Sequence, residues 1–248
     1  HRDLHTAYRR QRQMCIRDRV IGEWPTCDEF ILTSCDEKYL NKFFPRFYKT
    51  FTEKWQLPVH VHVIDPADQT LQRLERLGIS HTYCKTSNEI LKWPYAYETY
   101  CQAQRFILLG HHVQSNQHII VADVDAYALR QPSESQHQRL IKDMAFTTYN
   151  GRLMATFCHF HPSRQIEALL AARSMEDHIT NSDMIGIDQK VIKQIFGSLP
   201  YTELHSGEWI RHLDVKTDDD LHQHNQCLIY HEKGTRGKNK TVETTWTD

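Results

Sequence analysis

The 248-residue chain is long enough for one large α/β domain or two small ones. A hydrophobic share of 40% and an aromatic share of 10% are typical of a globular protein with an apolar core. The formal net charge of −1 argues against bulk nucleic-acid binding and against attraction to an anionic membrane. No apolar run approaches the roughly 20 residues that a membrane-spanning helix needs, so we expect no transmembrane segment.

The start of the chain differs from the rest. Residues 1–20 carry six arginines and little apolar periodicity, and we interpret them as a disordered or non-native leader. We expect residues 21–248 to form a single domain. The seven cysteines are an odd number without a Cys-x-x-Cys pair, which indicates free thiols in a reducing compartment. Because no secretory signal is visible either, we predict a cytoplasmic protein.

Strands and helices alternate through the first half of this domain. The hydrophobic pattern predicts, in order, a strand at 29–34, a helix from 36 to 55, a strand at 59–64, helices at 71–77 and 95–109, and a strand at 118–122. We expect the helix at 95–109 to end at Gly110. This alternation predicts an α/β fold with a mainly parallel sheet flanked by helices. Ligands of such sheets bind beyond the carboxyl ends of the strands.

The second half of the chain is less regular. We predict strands at 144–149, 153–160, 209–215 and 227–230, and helices at 164–173 and 185–196. In the helix at 164–173 the apolar residues Ile166, Leu169 and Leu170 are expected to face inward.

Two carboxylates follow the strand at 118–122. Asp123 and Asp125 interrupt an otherwise apolar sequence, and burying them side by side costs several kcal/mol unless a cation or hydrogen bonds compensate. Carboxylate oxygens suit a hard divalent cation, which typically bridges a protein to phosphate oxygens. The sequence therefore predicts a metal site for phosphate chemistry at this strand end.

A basic stretch after the last apolar strand is the second candidate region. His231 offers a metal ligand, while Lys238 and the neighbouring basic residues can bind phosphate between two glycines that allow close approach. The alternative is a basic, glycine-rich tail.

Two helices contribute the remaining candidates. Arg105 precedes the Asp-x-Asp strand, where it either reaches phosphates or Asp123, or is a surface arginine. Asp188 and Gln189 stand at a helix start, so they either cap the helix or contact a polyhydroxylated substrate.

Other histidines have spacings that superficially resemble zinc ligands. His60 and His62 lie two apart in a strand, and Cys158, His159 and His161 form a second group near the end of another strand. No second half of a four-ligand set has suitable spacing, so we interpret them as core or surface histidines. The sequence also lacks the signatures of serine hydrolases, zincins, P-loop proteins and Rossmann dehydrogenases.

Taken in chain order, these parts resemble the GT-A class of nucleotide-sugar glycosyltransferases. The closest similarity is to the family that includes glycogenin and the bacterial lipopolysaccharide galactosyltransferases. The resemblance covers about residues 28–240 and rests on residues 33–39, Arg105, residues 120–125, Asp188-Gln189, and the His-x-x-Gly element at His231 and Gly234. The family's element continues x-x-Lys-Pro-Trp, whereas here Gly237 precedes Lys238 and Pro-Trp is absent.

The resemblance implies a GT-A-like, Rossmann-like sheet with an irregular acceptor side, and a transfer from a nucleotide-diphosphate sugar, usually a UDP-sugar, to a hydroxyl of a glycan, lipid-linked or protein acceptor. It implies the following roles: Thr33, Ser34, Cys35, Asp36 and Tyr39 for base and ribose, with Arg105 also in the donor site; Asp123 for ribose or metal; Asp125 and His231 for Mn²⁺ or Mg²⁺; Lys238 for the leaving phosphate; Asp188 and Gln189 for the donor sugar or acceptor.

Two alternatives remain open. A nucleotidyltransferase also uses an α/β sheet and paired acids, but it should carry a glycine-rich phosphate loop where this chain has Thr33-Ser34-Cys35-Asp36. A non-catalytic module that binds nucleotide-sugars would keep the same residues without turnover.

Overall fold

The main sheet has eight strands among the residues that the structure describes. The computed structural model describes residues 20–86, 95–112, 116–149, 151–181, 186–205, 207–213 and 227–232. The sheet order is β1-β4-β3-β2-β5-β8-β7-β9, where β1 is Ile21–Gly22, β2 Glu29–Asp36, β3 Val59–Ile64, β4 Ser80–Cys84, β5 His118–Ala122, β7 Ala145–Tyr149, β8 Arg152–Phe160 and β9 Thr202–His205. Strands β4, β3, β2 and β5 are parallel neighbours, and β7 and β9 run parallel to each other.

A second, smaller sheet lies beside the first. Its order is β10-β11-β6, with β6 at Ala126–Ala128, β10 at Ile210–Leu213 and β11 at Ile229–Glu232. The helices are α1 (Glu37–Lys54), α2 (Asp68–Arg76), α3 (Ala96–His112), α4 (Glu134–Ile141), α5 (Gln165–Asn181) and α6 (Ile187–Phe196). None of these described helices combines the length and apolar character needed to cross a membrane.

The core occupies both faces of the main sheet because successive side chains of a strand point to opposite faces. In β5, Ile120 and Ala122 pack in a cluster with the phenylalanines of α1. Ile119 and Val121 pack in a second cluster with residues of α3, α5 and α6. The predicted α/β fold with a mainly parallel sheet flanked by helices is therefore confirmed.

Two features of the sheet differ from the expected pattern. Strand β8 runs antiparallel to both β5 and β7, so the sheet is mixed beyond β5. Strand β4 was not predicted, since Ser80-His81-Thr82-Tyr83-Cys84 is polar. Its polar side chains pair with histidines of β3 instead of packing in an apolar core.

The predicted inward face of the 164–173 helix is wrong for Ile166 and Leu170, while Leu169 is half-buried. Ile166 and Leu170 of α5 are 74% and 51% exposed, and Ala168, Ala171 and Ala172 are buried in their place. The reason is close packing of α5 against α3. A Cβ added to Gly110 would lie 2.4 Å from the carbonyl oxygen of Ala168, so only small residues fit between the two helices. Helix α3 continues past Gly110 to His112, so the prediction that it ends at Gly110 is also wrong.

The leader predicted for 1–20 falls outside the described residues, apart from residue 20. The single-domain assignment stays a prediction.

Candidate functional site

The Asp-x-Asp stretch forms a tight turn at the carboxyl edge of the main sheet. Strand β5 ends at Ala122, and β6 begins at Ala126. The backbone N–H of Ala126 donates to the carbonyl of Asp123 at 2.9 Å, which closes the turn. The N–H of Asp123 donates to the carbonyl of Thr156 in β8, also at 2.9 Å. Both carboxylates are therefore carried by backbone that is fixed on two sides.

His231 reaches these carboxylates through the smaller sheet. Strand β11 pairs antiparallel with β6, and this register sets His231 opposite Ala126. Its Nε2 lies 3.3 Å from an oxygen of Asp123 and 3.1 Å from an oxygen of Asp125. One ligand atom from each of the three residues lies within 4.8 Å of the others, a spacing that can hold a metal ion. The structure thus brings together the three metal ligands predicted from the sequence.

The charge of His231 is set by its two partners. Burial by itself would lower the pKa of the imidazole, but the carboxylate of Asp125 and the hydrogen bonds to Asp123 and Asp125 outweigh it and raise the pKa to about 10. Without a cation, His231 is therefore protonated at neutral pH and holds the two carboxylates together. A metal ion at this position would need the neutral imidazole.

Arg105 extends this group on the other side of Asp123. Its guanidinium donates to Asp123 at 2.7 Å and to Asp188 at 3.1 Å, with a longer bond to the carbonyl of Ala155. Burial would lower the pKa of Arg105, but the two carboxylates raise it above its ordinary value. Burial raises the pKa of Asp188 despite the neighbouring arginine. We call Asp188, Arg105, Asp123, His231 and Asp125 the charged network, since their charges alternate in sign along that order.

A pocket of about 650 Å³ opens in front of the charged network. Its lining comprises Ser34, Cys35, Asp36, Tyr39, Tyr95, Tyr97, Glu98, Cys101, Gln102, Arg105, Asp123, Val124, Asp125 and His231. Asp36 caps α1 by accepting from the N–H of Tyr39 at 2.8 Å, and the ring of Tyr39 is 40% exposed. Most of the residues predicted after the first strand therefore lie at the pocket.

Sequence reasoning missed the wall that α3 contributes. Tyr97, Glu98, Cys101 and Gln102 lie eight, seven, four and three positions before Arg105. Residues at these spacings share one helix face. The helical periodicity counted back from Arg105 is the sequence signal for its neighbours in the pocket.

Some predicted residues lie elsewhere. Thr33 is fully buried and faces α1 with Ile31 and Cys35, while its hydroxyl finds no hydrogen-bond partner among the described residues. The Gln189 amide is bonded to β8, accepting from the N–H of Ala155 and donating to the carbonyl of Leu153. Asp188 lies behind Arg105 and does not line the pocket. Lys238 lies outside the described residues.

Three of the four histidines with zinc-like spacings lie in the core, and His161 is half-buried with its Nδ1 hydrogen-bonded to Ser163. His60, His62 and His159 are fully buried, and burial lowers the pKa of each to about 3. None of them belongs to a metal-binding cluster among the described residues.

No known protein-family model matches this sequence, and no curated protein matches it significantly. The geometry of the site is therefore the basis for its interpretation.

Proposed function

We propose that the protein is a metal-dependent glycosyltransferase of the GT-A class, which transfers a sugar from a nucleotide-diphosphate sugar to a hydroxyl acceptor. The convergence of Asp123, Asp125 and His231 at the mouth of a ligand-sized pocket carries this proposal. Three ligand side chains leave coordination positions for phosphate oxygens. The position beyond the carboxyl ends of parallel strands is where α/β sheets bind nucleotides.

The donor set favours Mn²⁺ over Mg²⁺. Two carboxylates suit either ion, but Mg²⁺ prefers oxygen ligands throughout, whereas an imidazole is better matched to a softer ion. When bound, the ion would neutralise charge that develops on the leaving nucleoside diphosphate. Asp123, Asp125 and His231 would hold it, and Arg105 would keep Asp123 in place through its 2.7 Å ion pair.

The pocket wall suits a nucleoside. Its volume of about 650 Å³ lies within the range of small-molecule sites. The partly exposed rings of Tyr39 and Tyr95 offer faces on which a base can stack, and Ser34 and Asp36 offer hydrogen-bonding groups for the ribose. A UDP-sugar is the donor that we expect.

The sugar would lie near Arg105. Both polar atoms of the Gln189 amide are bonded to β8, and Asp188 accepts from Arg105 with one carboxylate oxygen and from the N–H of Gln189 with the other. Asp188 would therefore act by holding Arg105 in place. If the reaction inverts the anomeric carbon, it would need a base for the proton of the acceptor hydroxyl, and Asp188 does not line the pocket to accept it. If it retains the configuration, front-face attack needs no protein nucleophile.

The test is a thermal-shift screen with UDP, GDP, CDP and their sugar conjugates, with and without Mn²⁺. Binding at 100 times Kd stabilises the folded state by about 2.7 kcal/mol. We expect a shift that requires both Mn²⁺ and one nucleotide, followed by sugar release or transfer in a product assay. The absence of a shift with every nucleotide would contradict the proposal. Binding without turnover would favour the non-catalytic module.

A nucleotidyltransferase fits the structure less well. Strand β2 passes directly into α1 at Asp36 with no intervening loop, so the glycine-rich phosphate loop of such enzymes has no counterpart there. If an assay showed that the protein forms a nucleotide-sugar from a nucleoside triphosphate and a sugar phosphate, that result would favour the nucleotidyltransferase over the glycosyltransferase.

A further inference from the structure

The chain passes from β8 into α5 through a short segment that depends on a histidine. Strand β8 ends at Phe160, and α5 begins at Gln165 after one turn of 3-10 helix. His161 caps this turn, because its Nδ1 accepts from the backbone N–H of Ser163 at 3.2 Å. The same nitrogen lies 2.8 Å from the hydroxyl oxygen of Ser163. We call residues 160–165 the β8–α5 junction.

The cap exists only while Nδ1 of His161 carries no hydrogen. A backbone N–H can only donate, so the nitrogen that it points at must present a lone pair. The hydroxyl of Ser163 can donate to that lone pair as well. A protonated imidazole has two N–H groups and no acceptor. Its Nδ1 could still donate to the hydroxyl oxygen, but its hydrogen would face the N–H of Ser163, and the cap would be lost.

The helix dipole adds a second cost to a charge on His161. The N-terminal end of a helix carries the partial positive charge of its aligned peptide groups, so a cation there is unfavourable. His178 lies in the last turn of α5, where a cation is favourable. It donates from Nδ1 to the carbonyl of Ser174 at 2.7 Å, a bond that a protonated ring keeps. Acid therefore acts in opposite directions on the two histidines at the ends of α5.

Tertiary packing holds the beginning of α5 only weakly. Of residues 165–170, only Ala168 is buried, whereas Ile166 is 74% and Leu170 51% exposed. Helices are stabilised mainly by burial of an apolar face, and segments with few buried contacts open locally at low cost in free energy. The cap at His161 therefore matters more for this end of α5 than a cap does for a well-packed helix end.

A second histidine pair joins β8 to β5 beside the cap. Nδ1 of His159 lies 3.0 Å from the carbonyl oxygen of Asp143, which can only accept, so this nitrogen carries the hydrogen. Burial lowers the pKa of His159 to about 3, so the ring is neutral and its Nε2 is bare. Nδ1 of His118 donates to it at 3.1 Å. His118 can therefore take up a proton only on Nε2, which leaves this bond intact.

The surrounding charges do not compensate a proton on His161. The ring of His118 lies 5.1 Å from that of His161, measured between centroids, so protons on both rings would repel. None of the ion pairs among the described residues includes His161. The nearby carboxylates are held by other partners: Glu29 by His137 of α4 at 2.9 Å, Glu167 by Arg164 at 3.3 Å, Asp143 by Arg164 at 3.9 Å, and Asp28 by the amide of Asn116 at 2.8 Å.

We propose that the β8–α5 junction is an acid-sensitive conformational device, in which protonation of His161 releases the cap and opens the first turns of α5. Histidine is the side chain whose charge ordinarily changes between pH 5 and 8. The first turns include Ala168, which packs against Gly110 of α3. The contact between the two helices at this end therefore depends on pH. The device is independent of the ligand that the pocket binds.

The test is hydrogen exchange of the full chain at pH 7.5 and 5.5. The protection of an amide is its intrinsic exchange rate at each pH divided by the observed rate, which removes the pH dependence of the chemistry itself. Loss of a helix cap should lower the protection of the amides of residues 166–169 by about 2- to 30-fold at pH 5.5. Unchanged protection of these amides between the two pH values would overturn the proposal.

Three variants separate the cap from other effects of acid. His161→Asn keeps a side-chain acceptor that does not titrate, so protection of residues 166–169 at pH 5.5 should stay near its value at pH 7.5. His161→Ala has no cap, so protection should already be low at pH 7.5 and should change little in acid. His178→Gln, at the other end of α5, should behave like the unaltered chain. A fall in His161→Asn as large as in the unaltered chain would contradict the proposal.

Discussion

The charged network and the chain of hydrogen bonds that runs from Ser80 through His60, Thr82, His62 and Cys84 to Tyr100 both contain buried histidine, yet they hold it in opposite states. We call this second group the neutral chain. His231 lies between two carboxylates, and its pKa is raised to about 10. His62 lies between a hydroxyl and a thiol, and burial lowers its pKa to about 3. Burial penalises the charged imidazole in both places, so the partner decides the outcome.

The difference separates a region built for charge from one built for neutral hydrogen bonding. In the charged network, removing one member leaves an uncompensated buried charge, which is expensive. In the neutral chain, removing one member leaves at most an unsatisfied dipole. Substitutions in the two regions should therefore differ in size and in pH dependence.

Replacing Arg105 should have the largest effect on the free energy of unfolding. Arg105→Met leaves Asp123 and Asp188 without their shared cation and should lower the free energy of unfolding by about 3–5 kcal/mol. The control is Arg139→Met, because Arg139 forms a 2.6 Å pair with Glu208 in which the side chains are 44% and 37% exposed. That exposed pair should contribute about 1 kcal/mol or less. Equal losses in urea unfolding would remove the distinction between the regions.

The metal site gives the next effect. Asp125→Asn removes a charged metal ligand. Substitution of a residue that only hydrogen bonds to a ligand already weakens metal binding about 10–100-fold. We therefore expect Mn²⁺ affinity to fall by more than about 100-fold. Titration calorimetry with Mn²⁺ measures the change, and circular dichroism checks the fold. Asp68→Asn, at an exposed first-turn aspartate of α2, should bind Mn²⁺ like the unaltered chain. Full Mn²⁺ affinity in Asp125→Asn would refute the ligand assignment.

Acid should destabilise the fold through the neutral histidines. The pKa of His60, His62 and His159 is about 3 in the folded chain, against about 6.5 when unfolded, so the unfolded chain binds more protons between these values. Stability is retained above pH 6.5 and falls as the pH drops toward 3, by roughly 1 kcal/mol per histidine at pH 5.5. His231 does not offset this loss, since its contribution is present below pH 6.5 and disappears only as the pH rises toward 10.

Unfolding by urea at pH 7.5 and 5.5 measures this acid effect. His159→Gln should reduce the loss between the two pH values by about a third, whereas His205→Gln, at an exposed histidine, should leave it unchanged. A loss that is the same in all three proteins would show that other groups cause it.

Much of the carboxyl edge was predictable because its signals are local. An apolar β-branched run predicts β5, and two aspartates at its end predict the site. His231 was predicted on its chemistry, although its approach depends on the pairing of β11 with β6, which no local pattern encodes.

The errors occurred where packing overrides hydrophobicity. Helix α5 buries alanines against Gly110 and exposes Ile166 and Leu170, so its hydrophobic pattern predicts the wrong face. Strand β4 is polar, and its hydroxyl and thiol groups hydrogen bond with the buried histidines of β3. In both cases the partner element, which the sequence pattern does not show, decides what is buried.

The joining of the two sheets at His231 bears on folding kinetics. Asp125 and His231 are far apart in the sequence and meet only through the pairing of β6 with β11. Contacts of this kind require closure of a long loop, so we expect them to form after the transition state for folding. Interactions that form only after the transition state reduce the unfolding rate and leave the folding rate nearly unchanged. An ion held by these residues would therefore lengthen the lifetime of the folded chain, including its resistance to proteases, without helping it to fold.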